Sequence, residues 1–179
     1  AAVKTPSSSL SAIRPLWDHR GGILARAFYF ITNYILEYEI RSGVISEEII
    51  IIDRWYASTL AYTVAYRPDL DSEVDLSLLP SQVFEWPSDL HLRPNVMLLL
   101  DIDPQVRQNR IEKRKKEGGG ASRFNPWDDR LATVPKLATN IMDAFKSVKG
   151  PLRTHVLNAN QTKDQVQKDA MDIVKKCYQ

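Results

Sequence analysis

Cysteine is nearly absent from this chain. Cys177 stands alone in 179 residues, which excludes an internal disulfide and a cysteine-built metal knuckle and is compatible with a reducing compartment. No apolar run is long enough to cross a bilayer, so no membrane partner is expected. Neither sign of charge dominates: 24 Lys and Arg against 22 Asp and Glu leave a net charge of +2. That is too little for bulk affinity to nucleic acid, so any anion binding must be local. Glycine is sparse as well, with three of the seven gathered at Gly118-Gly119-Gly120. No internal repeat and no second domain are evident, and the first residues have neither the signal-peptide nor the transit-peptide pattern.

What remains is an ordinary soluble globular composition, 44% apolar and 26% charged, in about one domain's length. The most informative stretch is Ile49-Ile50-Ile51-Ile52-Asp53-Arg54-Trp55. Four β-branched residues without a two-residue alternation predict a parallel strand covered on both faces. It ends in an acid and a base, at the strand end where open parallel sheets bind ligands. A second run, Val96 to Leu100, closes on Asp101-Ile102-Asp103-Pro104 and predicts another buried strand. Short strands are expected at Ala1 to Lys4 and Thr154 to Leu157.

Helical spacing predicts a long, mostly buried helix from Ile23 to Ile40 and others over about 57–66, 104–116, 130–148 and 163–177. The stretch 69–93 reads as a long loop with at most short helical turns. Strands alternating with helices give an α/β fold, a parallel sheet flanked by helices.

Three groups of residues have chemical potential. Asp53 and Arg54 suit phosphates and a metal ion, with Ser58 and Tyr62 one helical turn apart downstream; a strand-capping ion pair and a core tyrosine are the plain alternatives. Arg107, Arg110, Lys113, Arg114, Lys115 and Lys116 run into the triple glycine. They form either a solvated face or a lid whose arginines close over phosphates. Asn158-Ala159-Asn160-Gln161 follows the last strand and is placed to contact a base.

Ile51-Ile52-Asp53-Arg54-Trp55 with Ser58-Thr59-Leu60-Ala61-Tyr62 resembles the Asp-Arg-aromatic motif of thymidylate kinases. Leu99-Leu100-Asp101-Ile102-Asp103-Pro104 with Arg110 and Arg114 behind it does too, and the resemblance runs from about Lys4 to the C-terminus. Within that family of P-loop nucleoside monophosphate kinases, Phe84-Glu85-Trp86-Pro87-Ser88-Asp89-Leu90, Arg26-Ala27-Phe28-Tyr29 and Asn33-Tyr34 look most like the mitochondrial UMP-CMP kinase 2 branch.

The resemblance implies transfer of the γ-phosphoryl group of ATP, with Mg²⁺, to a pyrimidine nucleoside monophosphate. Asp53 would orient the metal shell or acceptor phosphate, and Arg54 would hold acceptor against donor. Arg14, Phe30, Asn33, Tyr34, Ser58 and Tyr62 would bind the acceptor, with Phe30 stacking on the base. Arg110 and Arg114, as lid arginines, would be catalytic with Asp53 and Arg54, stabilising the transferring phosphoryl group, and together with Asn158, Asn160 and Gln161 would bind ATP. It also implies a single kinase-like domain with a lid near 110–130, a mitochondrial location with the cytoplasm as alternative, and room for a homodimer on the apolar face of the Ile23 to Ile40 helix, a face that equally suits burial inside one subunit.

Two departures stand out. Tyr34 falls where typical thymidylate kinases carry an arginine, which favours UMP, CMP, dUMP or dCMP over dTMP. No Gly-x-x-x-x-Gly-Lys-Ser/Thr occurs in the chain; Gly118-Gly119-Gly120 lacks the Lys-Ser/Thr and follows a helix. The first, central strand and the phosphate loop are thus expected to lie outside these residues. The alternative from another class is a catalytically inactive nucleotide-binding or interaction module.

Overall fold

A computed structural model describes residues 1–18, 20, 22–67, 72–116, 130–131, 133–134, 136–150 and 153–177. The chain divides into two units, one of residues 1–92 with 136–149, the other of 93–135 with 150–179. Each carries one short parallel sheet flanked by helices, so the α/β class expected from the sequence is present.

In the first unit, β1 (Ala2–Lys4) pairs in parallel with β2 (Ile51–Asp53), setting Lys4 beside Asp53. Between them run a short helix, α1 (Arg14–Asp18), and the long α2 (Gly22–Arg41). The predicted helix over 23–40 matches α2 closely, because Phe28, Thr32, Asn33, Leu36 and Glu37 recur at helical spacing and are all buried. Its opposite side is not covered: Ile23, Leu24, Ile31 and Tyr38 are exposed. After β2 the chain turns into α3 (Tyr56–Val64), which packs on α2 and on α5 (Leu137–Ser147).

Three sequence expectations need correction here. The isoleucine run is a short strand on a two-stranded sheet, and Ile49 and Ile51 are exposed, not covered on both faces. The helix expected to reach residue 66 stops at Val64. There Tyr66–Arg67, as β3, pairs antiparallel with Ser72–Glu73, as β4, the latter within the stretch expected to be loop and helical turns. Single-turn helices at Leu76–Leu78 and Ser81–Phe84 follow. The third concerns a continuous helix over 130–148: Arg130, Leu131 and Thr133 are helical, but the run is broken and a separate helix opens at Leu137, behind a Lys136 held at φ 60°. Pro135, which itself lies outside the described residues, supplies the reason, since the α region is disfavoured before proline and a proline inside a helix removes a backbone bond.

The second unit is built on β5 (Val96–Asp101) and β6 (Arg153–Asn158), parallel and in register from Val96–Arg153 to Asp101–Asn158. Leu99 and Leu157 are buried at the pair, whereas Leu100 and Val156 are exposed. α4 (Pro104–Lys116) starts as its sequence dictates. Asp103 Oδ1 accepts from the amides of Gln105 at 2.8 Å and Val106 at 3.3 Å, and Pro104 takes the first helical position, where no donor is needed. α6 (Lys163–Cys177) is likewise capped, by Thr162, and packs on both strands. Among the described residues no helix is long and apolar enough to cross a membrane.

Candidate functional site

Parallel pairing delivers Asp53 to the carboxyl end of β2, where its carbonyl accepts from the Thr5 amide at 3.2 Å. Its carboxylate is exposed and accepts no hydrogen bond among the described residues. Arg54 follows in the left-handed region, φ 63°, a conformation that costs a non-glycine residue about 1–2 kcal/mol. That turn directs the Arg54 guanidinium over the Tyr62 ring, 5.3 Å from its centroid. Tyr62 meets Phe145 of α5 edge-on at 6.5 Å. Ser58, one turn earlier on α3, is buried. The structure therefore brings Asp53, Arg54 and Tyr62 to one corner, with Ser58 inside the unit behind them.

Trp55 caps the start of α3 and is buried, its Nε1–H reaching the Asn33 carbonyl at 3.3 Å. Asn33 is fully buried between α2 and α3: Nδ2 donates to the Tyr29 carbonyl at 2.9 Å and to Thr59 Oγ1 at 3.3 Å, while Oδ1 has no partner. Asn33 thus holds the helix carrying Phe30 and Tyr34 against the helix that follows Arg54. Phe30 stands 6.0 Å from Tyr56, and the Tyr34 hydroxyl donates to Asp89 at 3.1 Å. Burial and that hydrogen bond raise the Tyr34 phenol above its usual value. Arg14 is engaged elsewhere, with Asp18 at 3.1 Å, and Tyr29 donates to the same carboxylate at 2.7 Å.

Sequence reasoning missed the acid that ties α2 to the segment after Leu90. Glu37 is buried on α2 and accepts from the amides of His91 at 2.9 Å and Leu92 at 3.1 Å, with Arg41 at 3.4 Å. A glutamate in register with Asn33 and Leu36 on the buried helix face was the available signal, since a carboxylate is rarely buried unless paired. Thr5 was missed as well: its hydroxyl is buried and unpartnered at the carboxyl end of β1.

In the second unit Arg110 is a brace. Nη1 donates to the Ala159 carbonyl at 2.9 Å and Nη2 to the Gln161 carbonyl at 2.7 Å. The loop after β6 folds on its own side chains: Asn158 Oδ1 accepts from the Asn160 amide at 3.0 Å, and Asn160 Oδ1 from the Asp103 amide at 2.8 Å. Gln161 reaches Asp169 at 2.8 Å. Hydrogen bonds from Gln161 and Gln165 hold the Asp169 carboxyl below its usual range. Asn158, Asn160 and Gln161 therefore build the loop with their side chains, and Arg110 holds two of its carbonyls. Arg114 is exposed on the same face of α4 as Arg110. Most of the expected lid, 117–129, lies outside the described residues. No three His, Cys, Asp or Glu side chains gather to hold a metal among the described residues.

Residues 23–170 match the family model for thymidylate kinase. The chain belongs to the thymidylate kinase family. A curated human relative of this family member, mitochondrial UMP-CMP kinase 2, is 26% identical over 98% of the chain. The chain spans 37% of that relative's length. No solved structure matches. Both Asp53-Arg54 and Arg110 fall inside the matched residues, one in each unit.

Proposed function

We propose that this chain contributes the acceptor side and the base-contacting loop of an ATP-dependent nucleoside monophosphate kinase acting on a pyrimidine nucleotide, UMP, CMP, dUMP or dCMP. The observation that carries the reading is the Asp53–Arg54 corner: an uncommitted carboxylate and a guanidinium, the latter in a strained backbone turn, at the carboxyl end of a parallel strand. Phosphoryl transfer needs positioning and charge stabilisation rather than a covalent intermediate, and these two groups supply both. Arg54 holds the acceptor phosphate and Asp53 orients its surroundings. Asp53 also fits Mg²⁺, which keeps several waters and takes one or two carboxylates plus substrate phosphates. When bound, the ion neutralises charge on the phosphates.

Phe30, Tyr34, Asn33, Ser58, Tyr62 and Arg14 serve acceptor binding in this reading, directly or by shaping the site. Arg110, Arg114 and the 158–161 loop serve ATP. Tyr34 cannot supply the charge an arginine brings, which favours the listed nucleotides over dTMP. The chain works as one kinase domain with a lid near 110–130. The exposed Ile23, Leu24, Ile31 and Tyr38 on α2 support a homodimer, which size-exclusion with light scattering tests. Likeness to a mitochondrial protein supports the same compartment, to be checked by fractionation.

A cradle for the ATP phosphates, and the strand leading to it, come from outside these residues. Among the described residues β2 pairs with β1 alone, which leaves its other edge open to such a strand. The test is a coupled ATP-consumption assay with UMP, CMP, dUMP, dCMP and dTMP on the longest natural form of the protein. Turnover with one of the first four supports the proposal. No activity with any acceptor overturns it in favour of an inactive binding module, the reading that the missing Gly-x-x-x-x-Gly-Lys-Ser/Thr motif favours.

A further inference from the structure

Phe30 and Tyr34 lie one turn apart on α2, and Tyr56 opens α3 two residues after Arg54. Their rings belong to an aromatic row: Phe30 is 6.0 Å from Tyr56, and Tyr56 is 5.0 Å from Trp86, edge-on. The Trp86–Leu90 turn closes the row. Trp86 Nε1–H donates to the Leu90 carbonyl at 2.9 Å, and Leu90 is fully buried. Asp89, the residue before that anchor, is thereby held at the surface beside both phenols. The Tyr34 hydroxyl donates to its Oδ1 at 3.1 Å. Its charge adds to burial in raising the Tyr56 phenol. Asp89 makes no ion pair among the described residues, and Oδ2 accepts no hydrogen bond there.

The hydrogen-bonding character of this pair follows from simple inventory. The one hydrogen of the Tyr34 hydroxyl is spent on Asp89, so the phenol oxygen offers lone pairs only, and an ionised carboxylate offers nothing else. Tyr34 and Asp89 together form an edge of acceptors. A pyrimidine presents one of two groups at its 4-position: an amino group with two donors in cytosine, or a carbonyl with lone pairs in uracil and thymine. The first satisfies the edge, while the second sets oxygen against oxygen. Phe30, part-exposed on the same face of α2, supplies a ring on which the base can lie.

We propose that Tyr34 and Asp89 read the exocyclic amino group of a cytosine base, so that the acceptor is a cytidine monophosphate in preference to a uridine one. This rests on the reading of the Asp53–Arg54 corner as the acceptor phosphate site and narrows its substrate. A site built to hydrogen-bond a donor rejects an analogue lacking it far more strongly than an apolar pocket rejects a change of size.

The experiment compares CMP, UMP, dTMP and AMP, both by kcat/KM and by equilibrium binding in calorimetry, on the wild-type protein, Asp89→Asn and Tyr34→Phe. The expected wild-type result is a preference for CMP over UMP of about 10-fold or more in both measurements. In Asp89→Asn the side-chain amide can donate to a 4-carbonyl, so the preference shrinks to near parity or reverses. Tyr34→Phe lowers it partly. Arg54→Ala depresses turnover on CMP and UMP alike and leaves their ratio unchanged. Equal binding of CMP and UMP, or an unchanged ratio in Asp89→Asn, overturns the inference. AMP taken as well as CMP overturns the assignment to cytosine, because an edge that read only an amino group would not tell the two bases apart. Selective CMP binding without turnover supports it while defeating the kinase reading.

Discussion

Arg54 pairs a proposed role in transfer with a measurable backbone cost, and glycine and alanine substitutions separate the two. At φ 63° any side chain bears the left-handed penalty of about 1–2 kcal/mol, which glycine escapes. Glycine in turn gives the unfolded chain extra freedom, which offsets about 0.4–1 kcal/mol. The guanidinium's contact with the Tyr62 ring is lost in both variants and cancels between them. Arg54→Gly is therefore expected to be more stable than Arg54→Ala by about 0.5–1 kcal/mol, a difference of roughly 1–4 °C in Tm for a chain of this size. Both lose most phosphoryl transfer while circular dichroism stays native. Calorimetric scans at matched pH and a single acceptor assay provide the measurements. Arg54→Ala equal to or more stable than Arg54→Gly would show that the turn carries no strain. Near-normal turnover in either would remove Arg54 from the site.

Arg110→Lys keeps the charge but cannot span the Ala159 and Gln161 carbonyls. It is expected to raise the KM for ATP by about 10-fold with kcat little changed, about 1.4 kcal/mol of lost positioning; a large fall in kcat at constant KM would return Arg110 to the transition state. Glu37→Leu leaves the His91 and Leu92 amides without their acceptor, so a loss of about 1–3 kcal/mol is expected, read as a fall in denaturation midpoint. Arg41→Ala, on the exposed end of the same contact, loses less than about 1 kcal/mol, and an equal loss in the two would contradict the assignment. Burial and the Asp18 carboxylate raise the Tyr29 phenol. A raised folded value means the native state keeps its proton longer, so this contribution is intact below the unfolded tyrosine pKa, about 10, and is lost as pH rises beyond it. Tyr29→Phe is expected to flatten the alkaline limb of the stability curve.

What the sequence made legible was local. Asp103-Pro104 announced a helix start because cap and first-turn chemistry involve neighbours, and α2 was readable because its period is its own. The burial of Ile49 and Ile51 was misjudged because a run of isoleucines records a preference for cover and not the presence of it. The Glu37 amides lie beyond residue 90, and Asp89 meets Tyr34 across 55 positions; no periodicity encodes either contact. In the 158–161 loop, residue types pointed to a base-contacting segment. That the Asn160 side chain is spent on the Asp103 amide follows only from the pairing of β5 with β6.

The helix α5 belongs with residues 1–92, yet in the chain it is bracketed on both sides by the other unit. Its Phe145 is the partner of Tyr62, and α3 packs on α5. During synthesis, then, the helix behind the Asp53–Arg54 corner emerges long before the surface that covers it, with most of the second unit's first half made in between. Contacts so distant along the chain are slow to close and leave apolar surface open meanwhile. The Asp53–Arg54 corner is drawn early by the ribosome and finished late, and a nascent chain halted before residue 145 carries Asp53 and Arg54 ahead of an unsupported α3.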